Sequence, residues 1–482
     1  MSRPRARVRL VHLGIAALAA LASIGCQQRE EAPRQPSIIL TMVDTLRADY
    51  LGTYGFSGPI SPHLDALASE SIVFERCVSQ APWTKPAIAS LFTGLEPTVH
   101  QVLTHKGDFG DADARSRGGA ETDVLPPGAV TLAEALGDAG YETAAFVANP
   151  WIRTAFGFAQ GFDHFDERHT GNDTPADVVL AAARAWLDAR DGERPFFLYL
   201  HLMDVHGPYD APPEDVAAVR GSADLETDVT LEMSSLPPGL LRSMQALGLS
   251  WVREPAVRQL QEWRTRYAAG VRAFDRRFHP FVEHLRRTGA LDRAVLVVTS
   301  DHGEELYEHG DWVHGKNLHY HQLNIPLLVR MPEGAHGGRR VDAMTALVDV
   351  LPTLVHLAGA EPPSGIHGVN LSPWLGDETP AAASRELYAT GVKWKPGEHS
   401  LQTEGFKLIK DVESGEASLF EIAADPREQD DLAASRPLAL LPLDETLERH
   451  LADALRHPGI GRAEAAIDPE VEERLRALGY LE

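Results

Sequence analysis

The chain has 482 residues, 44% of them hydrophobic, enough for a large core in either one large α/β domain with an appended subdomain or two or three ordinary domains. Its 45 basic and 69 acidic residues leave a formal net charge of -24, which excludes a general nucleic-acid binder. With only Cys26 and Cys77, a disulfide framework is excluded as well.

Taken in order, Arg3, Arg5, Arg7 and Arg9 precede an apolar run over 11–24 that is too short to span a membrane comfortably and ends in Leu21-Ala22-Ser23-Ile24-Gly25-Cys26. This order resembles a bacterial lipoprotein signal. It implies a signal peptide over 1–26, a lipidated Cys26 anchoring the protein to the periplasmic face of the cell envelope, and a polar tether over 27–36; Gln27 points to outer-membrane sorting. Residues 37–43 form a continuous apolar run, the pattern of a parallel strand buried on both faces, and Asp44 ends it. A helix over 61–69 and a strand over 72–78 follow, with Cys77 read as a buried strand residue. Thr84 then stands at the start of a helix, ahead of Pro86 and the Gly94 stop. Two readings of it are open: an N-cap, or a reactive hydroxyl at a helix start that attracts oxyanions.

Residues 103–128 read as a surface loop, 131–139 as a helix, 143–148 as a strand and 176–187 as a helix. The strand predicted over 195–203 ends in Asp204, His206 and Tyr209. A Pro-, Glu- and Ser-rich insertion occupies 210–255, and an amphipathic helix 257–287. The apolar strand over 294–300 delivers Asp301 and His302, and another strand covers 325–329. Beyond 385 the strands become short (386–389, 406–410, 418–421) and precede a polar helix over 444–455. The fold class expected is α/β: a mostly parallel sheet flanked by helices over 37–385, with a small C-terminal α+β subdomain over 386–482.

Strand ends in such sheets carry ligands, and here they present Asp44, Asp204 with His206, and Asp301 with His302. Asp301 and His302 supply an oxygen and a nitrogen, Asp44 a second carboxylate and Thr84 a hydroxyl whose pKa a bound metal would lower. Among the later histidines, His309 and His314 sit in Glu-His-Gly and His-Gly contexts, whereas His319 and His321 read as ordinary surface or packing residues.

These motifs, with residues 39–49, 84–94, 140–143, 204–209, 300–304, 308–315 and 419–426, resemble the sulfatase family of the alkaline-phosphatase superfamily over nearly everything after residue 37. The resemblance implies a metal-dependent ester hydrolase holding one divalent ion (Zn, Mn or Ca) on Asp44, Thr84, Asp301 and His302. It also implies that His206 protonates the leaving group and His314 holds anionic oxygens. A second metal at Asp204, His206 and His314 stays open, although Asp204 and His206 are two residues apart where two-metal relatives have four. The chain departs from the family at the nucleophile: Cys or Ser, Pro and Arg of the formylglycine motif are Thr84, Pro86 and Ile88 here, and Thr45 replaces a second Asp. Threonine cannot become an aldehyde. The expected substrate is therefore a phosphate mono- or diester of a small molecule, glycan or lipid headgroup, with sulfate-ester hydrolysis, envelope phosphotransfer and non-catalytic anion or glycan binding as alternatives.

Overall fold

Continuous apolar runs need burial on both faces, and an eight-stranded sheet gives it to them. The computed structural model describes residues 35–467 except 104, 107–120, 171–173, 226–255, 378–379, 381–383, 394, 457–459 and 462. The expected signal peptide, Cys26 and most of the tether lie outside the described residues, as do 107–120 and 226–255 of the two predicted excursions.

The sheet comprises β1 (Ser37–Val43), β2 (Ile72–Val78), β3 (Glu142–Val147), β4 (His164–Asp166), β5 (Phe196–Leu202), β6 (Ala294–Thr299), β7 (Asn324–Arg330) and β8 (Arg340–Ala346), in the order β8-β2-β7-β6-β1-β5-β3-β4. Only β7 is antiparallel to its neighbours. Period-two alternation divides the core. Ile39, Val43, Leu198, Leu200, Leu296 and Val298 pack with Trp263, Tyr267 and Phe274 of the long helix Ala256–Arg287. Ile38, Leu40, Met42, Phe197, Tyr199, Val295 and Val297 pack on the opposite face with Ala87, Leu91 and Phe92 of the helix Thr84–Thr93. Cys77 is buried in β2, as its apolar setting predicts, and burial pushes its thiol up to about 12. Among the described residues no helix is long and apolar enough to cross a membrane.

A four-stranded antiparallel sheet, Leu387–Ala389, Glu398–Gln402, Phe406–Asp411 and Ala417–Glu421, is covered by Leu443 and Leu447 of the helix Pro437–Arg456. Its other residues Leu387, Ala389 and Phe420 share a core with Val78, Ala346 and Val348 of the main body. The sequence reading lacks β4, β8 and Glu398–Gln402, which are short or polar and owe their conformation to neighbouring strands. Within the stretch read as a loop, Glu121–Val124 pairs antiparallel with Ala463–Ala466. The stretch read as an insertion contains the helix Pro213–Val219.

The segment after β6 returns along the short helix Tyr320–Leu323: Gly303 N–H donates to the Gln322 carbonyl (2.8 Å) and Glu304 N–H to the His321 carbonyl (2.9 Å). A Cβ at position 303 would collide with the His321 carbonyl oxygen. Gly303→Ala should therefore destabilise the fold by about 1–3 kcal/mol, measurable by urea unfolding. An unchanged midpoint and slope would show that the two segments separate freely.

Candidate active site

Alternation selects the residues that meet. Asp44, Asn149, His201 and Asp301 continue the parity of Met42, Val147, Tyr199 and Val297, so they emerge on the face that carries the Thr84 helix; all four are fully buried. His201 lies opposite Met42 and Val147 in the sheet, and Asp44 N–H is fastened to the Leu202 carbonyl (2.9 Å).

Asp44 Oδ2 accepts from Asn149 Nδ2 (2.6 Å) and faces His201 Nε2 (3.1 Å). Behind His201, Tyr199 Oη is 2.8 Å from Nδ1. Burial raises the Tyr199 phenol well above its ordinary pKa, so it stays protonated and donates, which leaves His201 Nε2–H to orient Asp44. Asp301 Oδ1 accepts from the backbone N–H groups of His302 (2.9 Å) and Thr45 (3.2 Å). The other oxygens, Asp44 Oδ1 and Asp301 Oδ2, are buried and have no hydrogen-bond partner among the described residues. Facing them at 3.7 and 3.4 Å is His302 Nε2. His302 Nδ1 lies 2.8 Å from the Gly303 carbonyl, which can only accept; the imidazole proton is therefore on Nδ1 and Nε2 presents a lone pair.

Two carboxylate oxygens and an imidazole lone pair, converging without a proton between them, fit a divalent cation. Donor atoms of Asp44 and Asp301 lie within 4.8 Å of each other, and His201 stands equally close with its Nε2–H turned to Asp44. The charges of the acids respond to this crowding. Burial would raise Asp44, yet His206, His201 and His302 hold it well below the carboxylate range, while burial and the Asp44 charge push Asp301 up to about 7. Burial lowers His302, which favours the neutral ligand form.

Thr84 is the first residue of its helix; Trp83 occupies the cap position and makes no side-chain cap. The N-cap reading of Thr84 thus gives way. Its Oγ1 is 3.4 Å from both Asp44 Oδ2 and His302 Nε2, and Asn149 Nδ2 approaches at 3.3 Å. Ile88, which stands where the family motif has arginine, is core. Neighbouring Lys85 turns its ammonium to the Asp123 carbonyl (2.7 Å) and over the Trp151 ring (5.0 Å).

At the edge of the site, His206 and His314 are 5% and 9% exposed, against 0% for Thr84, so these two rings are the cluster's more exposed members. Their centroids are 5.0 Å apart, and His314 is 4.5 Å from His302. His206 Nδ1 is 2.7 Å from the Gly207 carbonyl. His314 Nδ1 is 3.0 Å from Glu304 Oε1, and Glu304 Oε2 accepts from Tyr209 Oη (2.6 Å). Burial pushes Glu304 up to about 7 and, helped by His206, His314 well down. Lys393, whose N–H donates to the Gly315 carbonyl (2.8 Å), brings its positive charge near His314 from the C-terminal part of the chain.

Asp204 is the residue the sequence misplaced. It continues the parity of Leu198, Leu200 and Leu202, toward the long helix, where Oδ1 pairs with Arg277 (2.5 Å) and Oδ2 accepts from Ala176 N–H (2.9 Å). Both oxygens are engaged, so the metal set Asp204, His206 and His314 is not assembled. His201, Glu304, Tyr267 and Lys393 were not singled out by sequence; parity with Tyr199 was the one signal for His201.

Thr45 holds the first turn of the site at φ 60°, a left-handed conformation costly for a β-branched residue. Tyr267 Oη fastens it by donating to the Thr45 carbonyl (2.6 Å) and accepting from Arg47 N–H (2.9 Å).

Comparison with known proteins places the chain in a family and matches its fold to solved structures. A family model described as Sulfatase matches residues 36–360, and one described as N-sulphoglucosamine sulphohydrolase, C-terminal, matches 307–456. An N-acetylglucosamine-6-O-sulfatase of Bacteroides thetaiotaomicron is 26% identical, with 87% of this chain and 86% of that protein covered. A structure solved in complex with its substrate D-glucosamine-2-N,6-O-disulfate superimposes with a TM-score of 0.68 at 22% identity, covering 89% of this chain and 99% of the other. The phosphonate monoester hydrolase of Silicibacter pomeroyi gives 0.70 at 20% identity, covering 88% and 96%.

Tyr267→Phe would leave the Thr45 carbonyl and Arg47 N–H unpaired, at about 1–3 kcal/mol of stability, and weaken metal binding by about 10–100-fold through the loosened turn. Calorimetric titration with the wild type alongside checks both. Because a cation competes with the proton on Asp301, metal affinity should fall about tenfold between pH 8 and pH 6. A flat profile would mean that Asp301 is already ionised without metal.

Proposed function

The chain belongs to the sulfatase family of metal-dependent ester hydrolases, and we propose that within it this protein hydrolyses phosphate mono- or diesters with Thr84 as the nucleophile. The observation that carries this reading is the Thr84 hydroxyl at the helix start, 3.4 Å from both Asp44 Oδ2 and His302 Nε2. A secondary alcohol cannot be oxidised to the aldehyde that releases sulfate by elimination. A phosphothreonine, in contrast, can be cleaved by in-line attack of water on phosphorus.

Asp44, Asp301, His302 and Thr84 would hold one divalent cation, which when bound supplies positive charge for the hydroxyl and for the ester oxygens. Asn149 and His201 fix Asp44 so that its Oδ2 lies on the path of the Thr84 proton. As the Thr84 Oγ1–phosphorus bond forms and the ester bond breaks, His206 gives its Nε2 proton to the departing alcohol; its Nδ1–H remains on the Gly207 carbonyl. His206 then takes a proton from the water that cleaves the phosphothreonine, and the proton that Asp44 Oδ2 took from Thr84 returns to Oγ1 as its bond to phosphorus breaks. His314, oriented by Glu304, and Lys393 receive the non-bridging oxygens.

A second reading, sulfate-ester hydrolysis with Thr84 attacking directly, draws support from the sulfatase names of the relatives. The alcohol portion would be a small molecule, glycan or lipid headgroup, reached from the periplasmic face by a protein anchored through Cys26. Replacement of Cys26 by Ala should release the protein from the membrane fraction.

Thr84→Ala should lower aryl phosphate turnover on the order of 10⁴-fold, while Thr84→Ser keeps it. Comparable aryl sulfate and aryl phosphate turnover by the wild type would favour the second reading. With His206→Gln, the loss should be about 10²–10⁴-fold and steepest for esters of weakly acidic alcohols. If His314→Gln shows that dependence instead, the two roles are exchanged.

A further inference from the structure

A second convergence of metal-type donors lies behind the loop that carries Asp301 and His302, and the mechanism does not use it. Glu305, fully buried, accepts the His309 backbone N–H on Oε1 (2.6 Å), while Oε2 has no hydrogen-bond partner among the described residues. His309 Nε2 is 2.9 Å from the Glu428 carbonyl, so Nε2 carries a proton and, in the neutral ring, Nδ1 carries the lone pair. That Nδ1 is buried without a partner too, as is Nδ1 of His321, a residue only 2% exposed. One donor atom of each of the three residues lies within 4.8 Å of the other two. Glu305 Oε2 and His309 Nδ1 are 3.8 Å apart, too far for the hydrogen bond of an ordinary His–Glu pair.

We propose that Glu305, His309 and His321 bind a divalent transition metal of Zn²⁺ type, in a site distinct from Asp44, Asp301 and His302. Two imidazoles and one carboxylate form a donor set suited to zinc, with a remaining position for water. The Glu428 carbonyl behind His309 supplies the outer contact that fixes a ligating tautomer. The nearby guanidinium of Arg47 does not oppose the cation, because Asp49 (2.7 Å) and Glu308 (2.8 Å) neutralise it. His321, read from sequence as an ordinary surface or packing residue, thereby becomes a ligand. The metal would join three pieces of chain: the strand Glu305–Leu306 that continues the Asp301 loop, the turn at His309, and the helix Tyr320–Leu323. It would hold in place the loop from which Asp301, His302 and Glu304 project.

Metal-free full-length protein is titrated with Co²⁺, and stoichiometry is read by elemental analysis after desalting together with the visible absorption of the bound ion. The wild type should bind two equivalents, Asp44→Asn/Asp301→Asn one, and Glu305→Gln/His321→Gln one, the last lacking the absorption that the first double variant retains. Zn²⁺ should also raise the melting temperature of Asp44→Asn/Asp301→Asn, a readout that stands even if the Glu305 variant fails to fold. If Asp44→Asn/Asp301→Asn binds no metal and its melting temperature ignores Zn²⁺, the cluster holds only water and the proposal is overturned. Retention of the full complement by a folded Glu305→Gln/His321→Gln protein would overturn it equally.

Discussion

Two buried carboxylates repel each other, and the architecture around Asp44 and Asp301 sets that repulsion up. At 4.8 Å, the upper limit on the distance between their nearest donor atoms, two full charges cost roughly 3–4 kcal/mol even at an effective dielectric of about 20. The protein relieves this by raising Asp301 to about 7 or by admitting a cation, and the His302 lone pair favours the second. Fixed donors on the remaining oxygens, from Asn149, Thr45 and the His302 backbone, prevent relief by rotation.

What brings the two acids together is the sheet. β1 lies between β5 and β6, so the ends of three adjacent parallel strands open on one edge, and alternation turns Asp44, His201 and Asp301 to one side. The Thr84 helix packs on that side and delivers the hydroxyl. From the opposite side the long helix reaches over with Tyr267 to restrain Thr45, and with Arg277 to draw Asp204 away. Each layer of the core thus has a defined task at the site, which is why substitutions well outside it, at Tyr267 or Gly303, are expected to be felt there.

Much of this was legible in the residues. Strands buried on both faces announce themselves as unbroken apolar runs, and a polar residue that ends such a run stands out, which made Asp44, Asp301 and His302 visible; the Thr84 helix was framed by Pro86 and Gly94. An apolar run has no direction, so nothing marked β7 as antiparallel. His201 hid inside a run because one imidazole among Leu200 and Leu202 reads as core. Lys393 and Glu304 gain their roles only through contacts made across the fold. Asp204 misled because it ends a strand as Asp44 does, and only counting alternate residues back along β5 separates the two faces.

The central claim is that Thr84 becomes covalently phosphorylated, and the most direct measurement is intact and peptide mass of the metal-loaded protein quenched in acid during turnover of an aryl phosphate. A phosphoryl adduct on Thr84 that disappears when substrate is exhausted is the predicted result. Steady turnover with no adduct on Thr84 under any quench, or an adduct on another side chain, would contradict the account.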